Sequence, residues 1–334
     1  MLINYYEAQI MKYLKSLLSR VVQRQTDIAC AKLSLNHIKI NSEQLLIIEK
    51  TIRQNYHTGW RSEKNYTEDA YKKDLSAHLS GRLENDRAKI VPWLDDARPL
   101  RGQHILEIGC GTGSSAIALA EQGAKLLGVD IDEGALCVAK DRANVYGVEA
   151  EFRLLNATEI RTALSGKTFD TIIFFASLEH MTIDERLTSL KDAWEMLREN
   201  GLLVAIETPN RLWYKDGHTS LLPFFHWLPD QLAFHYAKYS PRENFCDLYG
   251  EYTDVARQHF LRRGRGVSFH EFDLAIRPAR ELNIVSSLST YNKKCQDLNV
   301  SDLNERYKTV LKEIYPGIHD GFFDENLFIV IKKN

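Results

Sequence analysis

Hydrophobic positions recur with a helical period through the first hundred residues of the chain. Leu45, Ile48 and Ile52 are three or four positions apart, so they predict the buried face of an amphipathic helix. Asn41 and Gln44 have the spacing of a capping box at the start of that helix. The pattern therefore predicts that the chain opens with a helical extension.

Other stretches of this extension carry weaker patterns. An earlier helix is predicted near residues 10–18, and the loose alternation over Leu33–Ile40 predicts a short strand. The stretch Thr67–Trp93 predicts one or two helices, with a break near Gly81 and a stop at Pro92, because proline cannot continue a helix.

Beyond residue 102, short apolar runs alternate with helical stretches. This alternation predicts parallel strands joined by right-handed helical crossovers. The five predicted strands are His104–Ile108, Lys125–Val129, Ala150–Leu155, Asp170–Phe175 and Leu202–Ile206.

The last helix of this series and the segment after it have distinct patterns. Thr182 and Glu185 form a second predicted capping box, and Gly201 predicts the end of the helix that they open. Residues 208–281 show no strand repeat and are rich in aromatic residues, histidine and proline, which predicts an insertion over the sheet edge. Two further strands, Leu282–Leu288 and Asn326–Ile331, are then predicted.

Composition narrows the classes of protein and partner. The 334 residues are 44% hydrophobic and 26% charged, which is ordinary for a globular protein. A formal net charge of −2 argues against a nucleic acid partner. No apolar run is long enough to predict a membrane span. The five cysteines form no C-x-x-C pair, which favours reduced thiols in the cytoplasm over disulfides or a zinc site.

The most specific signal is a glycine cluster directly after the first predicted strand. Gly109, Gly111 and Gly113 leave no Cβ in the way, so a ligand can approach the backbone beside the start of a helix. The second strand ends about 20 residues further on at Asp130, where a carboxylate can accept hydrogen bonds from both hydroxyls of a ribose. Together, the glycine cluster and Asp130 predict a nucleoside-binding site.

The spacing of the glycines separates the candidate ligands. Dinucleotide sites follow G-x-G-x-x-G, whereas this loop is G-x-G-x-G with Ser114 where the dinucleotide pattern has glycine. No lysine follows as in a triphosphate-binding loop. An NAD(P)-dependent oxidoreductase on a similar sheet stays open as an alternative, as does a glycine turn without a ligand.

These strings resemble a known family. Glu107–Gly113 closely resembles the first motif of class I S-adenosylmethionine-dependent methyltransferases, and Asp130 matches the acidic residue that binds the cofactor ribose there. Leu178–Met181 and Asn200–Leu203 are similar to later motifs of the family, so the resemblance covers residues 103–209. It implies an α/β fold with a doubly wound, mostly parallel seven-stranded sheet, the Rossmann-like methyltransferase fold. An N-terminal helical extension and a cap insertion after strand five would be added to it.

The resemblance also implies S-adenosyl-L-methionine as the cofactor. One departure concerns the adenine contact, because the family has an aspartate after strand three where this chain has Asn156, with Thr158 or Glu159 as alternatives. The cofactor-binding residues that the resemblance implies are Glu107, Gly109, Cys110, Gly111, Gly113, Asp130, Ile131, Asn156, Ala157 and Ser177.

The methyl acceptor would enter the same crevice beyond strands four and five, beside Glu179 and Glu207. His180, His218 and His270 are the predicted catalytic residues, because imidazole can accept a hydroxyl proton near neutral pH. Each has a structural alternative: a crevice wall for the first, a turn for the second and a local hydrogen bond for the third. No metal site is predicted.

The sequence thus predicts an enzyme with two parts, a helical extension over residues 1–100 and a methyltransferase domain over 101–334 that includes a substrate-binding cap at 208–281. The predicted reaction is O-methylation of a hydroxyl on a sugar, cell-envelope or secondary-metabolite intermediate, with N-methylation left open. A non-catalytic protein that binds S-adenosylmethionine is a further alternative. The predicted protein is cytoplasmic, acts on a small molecule such as a saccharide, and forms a homodimer through its N-terminal helices.

Overall fold

The computed structural model of the chain describes residues 35–242, 245, 250–295 and 302–334. The helix predicted near residues 10–18 lies outside this part. Within it, no helix combines the length and the apolar character that crossing a membrane requires.

A seven-stranded sheet forms the centre of the fold. Its strand order is β3-β2-β1-β4-β5-β7-β6, and β7 runs antiparallel to both of its neighbours while the other neighbouring pairs are parallel. The prediction of a doubly wound, mostly parallel seven-stranded α/β sheet is therefore confirmed. The strands are β1 His104–Ile108, β2 Lys125–Asp130, β3 Ala150–Leu154, β4 Phe169–Phe175, β5 Leu197–Pro209, β6 Asn283–Ser287 and β7 Asn326–Lys332.

Helices flank the sheet and build the extension and the cap. They are α1 Ser42–Thr51, α2 Glu68–Ser76, α3 Arg82–Asn85, α4 Val91–Ala97, α5 Ser114–Ala120, α6 Glu133–Tyr146, α7 Ile160–Ala163, α8 Ile183–Met196, α9 Asp230–Tyr236, α10 Asp254–Arg262, α11 Phe269–Ala275, α12 Leu288–Cys295 and α13 Asp302–Ile314.

Strand β1 sits at the middle of the sheet, between β2 and β4. Ile105 and Leu106 point to opposite faces and are both fully buried, because the sheet is covered on each side. Strand order reverses between β1 and β4, and ligands of open α/β sheets bind at the carboxyl ends of the strands beside such a reversal. The topology therefore places a crevice at the glycine loop.

The end of α8 differs from the prediction. Gly201 does not close this helix, since Leu197 is already extended and pairs with Phe169 of β4. The chain turns at Asn200, which has a left-handed φ of 61°. Strand β5 is consequently longer at both ends than the apolar run Leu202–Ile206 indicates.

The extension also departs from its predicted boundaries. The capping box of Asn41 and Gln44 is present at α1. Gly81 does not break the helix and Pro92 does not stop it, because π-helical turns join α2, α3 and α4. Pro92 lies in the first turn of α4, directly after the π-helical turn Asp86–Ile90.

The strand predicted over Leu33–Ile40 is wrong for its described part. From residue 35 this segment pairs with no strand and binds the carboxyl end of α5 instead. The Asn36 N–H donates to Gln122 Oε1 at 2.9 Å, and the Gln122 amide donates back to the Asn36 carbonyl at 2.9 Å. Side chains thus replace a strand as hydrogen-bond partners of this backbone.

The extension and the sheet share one hydrophobic core. Ile48 and Leu83 of the extension are fully buried in the same cluster as Ile105 of β1 and Ile117 of α5. The insertion has a separate small core around Phe225 and other aromatic side chains. The division of the chain into domains at residue 100 stays a prediction.

Candidate functional site

A cavity of about 1100 Å³ opens at the carboxyl edge of the sheet. It is lined by Gly109 after β1, Asp130 at the end of β2, Asn156 after β3, Ser177 after β4 and Glu207 in β5. The cavity is therefore where the strand order predicts a ligand site.

The glycine loop forms one wall of this cavity. Gly109 has a φ of +81°, and a Cβ there would lie 2.6 Å from the Ser177 Cβ, so no other residue fits. Gly111 has a φ of +49°, and no atom lies within 4 Å of the place where its Cβ would be. The backbone itself is thus the surface that a ligand meets.

Asp130 is held in place by backbone donors. Its Oδ2 accepts from the Gly111 N–H at 2.8 Å and its Oδ1 from the Asp132 N–H at 2.9 Å. Burial raises the pKa of the carboxyl group, and these backbone hydrogen bonds act in the opposite direction. Among the described residues Asp130 forms no salt bridge, so its carboxylate is available to a ligand's hydroxyl groups.

The next wall is partly apolar. Ile131 lines the cavity with 68% of its side chain exposed, which suits the face of an aromatic base. Asn156 also lines it, but its Oδ1 accepts from the Thr158 N–H and hydroxyl, both at 3.0 Å. We expected this carbonyl oxygen to be free for adenine, whereas it caps a short 3-10 turn.

Most of the predicted cofactor contacts line the cavity, and two do not. Cys110 and Ala157 line the cavity together with the predicted contacts named above. Gly113 lies behind the loop, where it caps α5 with a φ of +79°. Glu107 is fully buried below the loop and accepts a hydrogen bond from the Ser115 hydroxyl. These two support the loop and do not contact the space beside it.

Burial raises the pKa of Glu107 to about 8, and the hydrogen bond from Ser115 only partly opposes this. Between the unfolded value of about 4.5 and this value, folding takes up a proton, so the contribution of Glu107 to stability falls as pH rises. We expect the free energy of unfolding of the wild type, minus that of Glu107→Gln, to fall by roughly 1 kcal/mol per pH unit from pH 5 to 8. Urea unfolding across this range measures it, and a constant difference would contradict it.

The N-terminal extension completes the cavity, through residues that the sequence analysis did not name. Asn55, Tyr56 and Arg61 follow α1 and line it. The Arg61 guanidinium donates to Asp132 Oδ2 at 2.5 Å and lies 4.2 Å from the centre of the Tyr56 ring. The density of aromatic and charged residues just after α1 is the signal that was available.

Arg142 of α6 connects this extension to the glycine loop. Its guanidinium is fully buried and donates to three carbonyl oxygens: Thr112 at 3.0 Å, His78 at 2.5 Å and Leu79 at 3.0 Å. Burial lowers the pKa of Arg142 to about 10, which leaves it charged at neutral pH. One side chain therefore fixes both the loop and the segment that covers it.

Carboxyl groups line the side of the cavity beside β5. Burial, with Glu207 and Glu107 adding repulsion, raises the pKa of Asp86 to about 8. Burial also raises the pKa of Glu207, and this residue has a left-handed φ of 54°. Non-glycine residues in this conformation are strained and often belong to functional sites. Asp86 and Glu207 both line the cavity.

Two of the three predicted catalytic histidines come together. The rings of His180 and His218 have centroids 5.6 Å apart. His180 lines the cavity, whereas His218 does not. His270 does not join them: it stacks on Phe269 at 4.1 Å and bonds to the Ser268 hydroxyl at 3.0 Å, outside the cavity.

Glu179 lies against this pair. Its Oε1 is 3.8 Å from His180 Nε2 and 3.9 Å from His218 Nε2. Burial raises the pKa of Glu179 to about 8, and burial lowers the pKa of His218 to about 4, with His180 adding repulsion. These contacts are therefore not ordinary salt bridges at neutral pH.

Comparison with known proteins decides the class of the domain. The profile of the family described as "Methyltransferase domain" matches residues 105–201, which hold the glycine loop and Asp130. Residues 105–201 are a class I S-adenosylmethionine-dependent methyltransferase domain. S-adenosylmethionine is the cofactor of this class, and the glycine loop with its carboxylate fits it.

Two curated relatives are similar to part of the chain only. The chain is 39% identical over 114 residues to ubiquinone biosynthesis O-methyltransferase from Azorhizobium caulinodans, covering 34% of this chain and 43% of the relative. It is 30% identical over 137 residues to the protein of that name from Ruegeria pomeroyi, covering 41% and 50%. The chain thus spans about half the length of these curated relatives.

A solved structure is similar to part of the chain. The magnesium protoporphyrin IX methyltransferase from Synechocystis, with bound S-adenosylhomocysteine, is 23% identical. The match covers 48% of this chain and 66% of that one, with a TM-score of 0.35.

Proposed function

We propose that the chain transfers a methyl group from S-adenosylmethionine to a hydroxyl of a small-molecule acceptor. The observation that carries this is the single cavity of about 1100 Å³, which joins the glycine loop and Asp130 to His180 and Glu207. A cofactor and an acceptor can therefore meet in one cavity.

The residues that would hold the cofactor are those along the first three strands. The Asp130 carboxylate suits the ribose hydroxyls, and Ile131 with Ala157 suits the adenine. The backbone of Gly109 and Gly111 suits the amino acid end, since both line the cavity and no atom lies within 4 Å of the place where a Cβ of Gly111 would be. The cofactor supplies an already activated methyl group, so the protein's work is alignment and the exclusion of water.

Alignment is the larger part of the catalytic effect. Holding two reactants in the reacting geometry can supply roughly 7–11 kcal/mol of the barrier. Tyr56 and Arg61 of the extension line the same space, where they would help to exclude water. A positioned base adds roughly 10²–10⁴-fold for a hydroxyl acceptor. His180 is our candidate, because burial lowers its pKa and leaves the imidazole neutral.

A sugar or another polyhydroxylated envelope or secondary-metabolite intermediate is the acceptor class that we propose. His180 supplies a hydrogen-bond acceptor to a hydroxyl, and the carboxyl groups of Asp86 and Glu207 line the same cavity. The relatives are named as O-methyltransferases, which supports an oxygen acceptor. The second candidate reaction is N-methylation of an amine, favoured by the same two carboxyl groups, which attract a cation when ionised.

The test follows the labelled methyl group from S-adenosylmethionine into panels of sugars, phenols and amines. We expect transfer to a hydroxyl, a loss in kcat of roughly 100-fold in His180→Ala and no loss in His270→Ala. Both variants should bind S-adenosylhomocysteine like the wild type. Transfer to amines alone would establish the second candidate. Cofactor binding without transfer to any acceptor in panels or cell extract would favour a non-catalytic protein.

The oligomeric state and the location in the cell stay predictions. A homodimer through the N-terminal helices would cover Leu46 and Ile47 of α1, which are 61% and 50% exposed. A cytoplasmic location rests on the cysteine pattern alone.

A further inference from the structure

Three potential metal ligands meet where the turn after β4 contacts the cap. Glu179 and His180 belong to that turn, and His218 comes from the insertion. One ligand atom from each lies within 4.8 Å of the other two. Residues far apart in the chain therefore converge on one small volume.

Hydrogen bonds fix which nitrogen of each imidazole faces this volume. His180 Nδ1 lies 2.8 Å from the carbonyl oxygen of Arg262. A carbonyl can only accept, so Nδ1 carries the proton and Nε2 keeps a lone pair toward Glu179. Fixing a histidine through its other nitrogen in this way is typical of metal-binding imidazoles.

His218 has the same arrangement. Its Nδ1 lies 3.0 Å from the Thr219 hydroxyl oxygen, and that hydroxyl lies 3.1 Å from the Gly264 carbonyl. Because the hydroxyl donates its proton to the carbonyl, the Nδ1–H of His218 donates to the hydroxyl. The Nε2 lone pair of His218 is thus left facing Glu179 Oε1 as well.

The Glu179 carboxylate is fully buried and accepts no hydrogen bond from any other described residue. Arg186 is close but donates no hydrogen bond to the Glu179 carboxylate. Its N–H groups bind carbonyl oxygens, among them those of Glu179 itself and Arg265, and the carboxylate of Glu271. When Glu179 is ionised, three acceptors therefore point at one another without a donor between them, which is costly unless a cation joins them.

We propose that Glu179, His180 and His218 bind a divalent transition-metal ion, with Zn²⁺ the best match and Mg²⁺ a poor one. Two imidazoles and a carboxylate are the ligands of open zinc sites, whereas Mg²⁺ prefers oxygen. In such a site neighbouring ligand atoms are roughly 3.4 Å apart. The two measured distances of 3.8 and 3.9 Å need only a small contraction.

The open position of this ion would face the cavity, because His180 lines the cavity wall. A bound ion there would occupy Nε2 of His180 and replace that residue as the group that activates the acceptor, because the ion can bind the acceptor oxygen and lower the pKa of its hydroxyl, as zinc does for water. The metal site itself does not rest on the proposed function, since it requires neither S-adenosylmethionine nor an acceptor.

Calorimetry on the full, untagged chain after treatment with a chelator tests the proposal. We expect one equivalent of Zn²⁺ to bind, and a weakening of more than about 100-fold in Glu179→Gln and in His218→Ala, beyond the loss known for removing an outer partner. His235→Ala is the matched control, an exposed histidine on α9 away from the cluster, and should bind like the wild type. Mg²⁺ should give no comparable heat.

Three outcomes would overturn the proposal: no Zn²⁺ binding, equal affinity in all four proteins, or loss in the control variant. Circular dichroism and binding of S-adenosylhomocysteine show that each variant is folded. The cofactor titration is independent of the metal titration. If the wild type binds S-adenosylhomocysteine but not Zn²⁺, the metal proposal is wrong; if it binds Zn²⁺ but not S-adenosylhomocysteine, the proposed function is wrong.

Discussion

Replacing Asp130 by asparagine is expected to weaken the binding of S-adenosylhomocysteine by roughly 10²–10⁴-fold. The carboxylate faces the cavity without a salt bridge to a described residue, and it would accept from two ribose hydroxyls. Each charge-assisted hydrogen bond contributes about 1.5–3 kcal/mol, and 1.4 kcal/mol is tenfold in affinity. Isothermal titration of the variant against the wild type measures the loss.

Asp170→Asn is the matched control for this experiment. Asp170 also accepts a backbone hydrogen bond, from the His104 N–H at 2.8 Å, but it lies at the amino end of β4. Its loss is expected to lower stability and leave cofactor affinity unchanged. Equal affinity for S-adenosylhomocysteine in wild type and Asp130→Asn would show that this carboxylate does not hold the ribose.

Replacing Arg142 by methionine is expected to lower the free energy of unfolding by about 3 kcal/mol or more. The change removes the donor that Arg142 supplies to three carbonyl oxygens, two of them buried and one partly buried, and each buried group left unsatisfied costs about 1–3 kcal/mol. Because one of these carbonyls is that of Thr112 in the glycine loop, cofactor affinity should fall as well. Urea unfolding measures the first effect, and titration at low temperature the second.

Arg153→Met serves as the comparison, because Arg153 is a partly exposed arginine of β3 that pairs with Glu151. Its removal is expected to change stability by less than about 1 kcal/mol. Similar stability losses in both variants would mean that the three carbonyl bonds of Arg142 do not contribute as argued.

Much of the sheet could be predicted because its signals are local. The strand His104–Ile108 and the capping box of Asn41 and Gln44 were predicted from neighbouring residues alone, and the structure shows both. Gly109 and Asp130 have a fixed spacing that the crossover connection requires. Such features depend on neighbours in the sequence, so a single sequence reveals them.

The features that were missed depend on contacts between distant segments. In the sequence Arg142 looks like any other helix residue, and only the structure shows that it donates to three carbonyl oxygens. The Asn156 carbonyl was expected to meet a ligand, but Thr158 uses it. His218 reaches Glu179 only through the path of the insertion, which has no periodic pattern. Chemistry of this kind is set by tertiary packing, which periodicity does not encode.

The central claim is that the bend at Gly109–Gly113, with the Asp130 carboxylate, holds S-adenosylmethionine and not a dinucleotide. Parallel calorimetric titrations of the full chain with S-adenosylhomocysteine, NAD and NADP test it most directly. We predict one equivalent of S-adenosylhomocysteine with micromolar or tighter affinity, and no saturable heat with either dinucleotide. Tight binding of NAD or NADP without binding of S-adenosylhomocysteine would contradict the account.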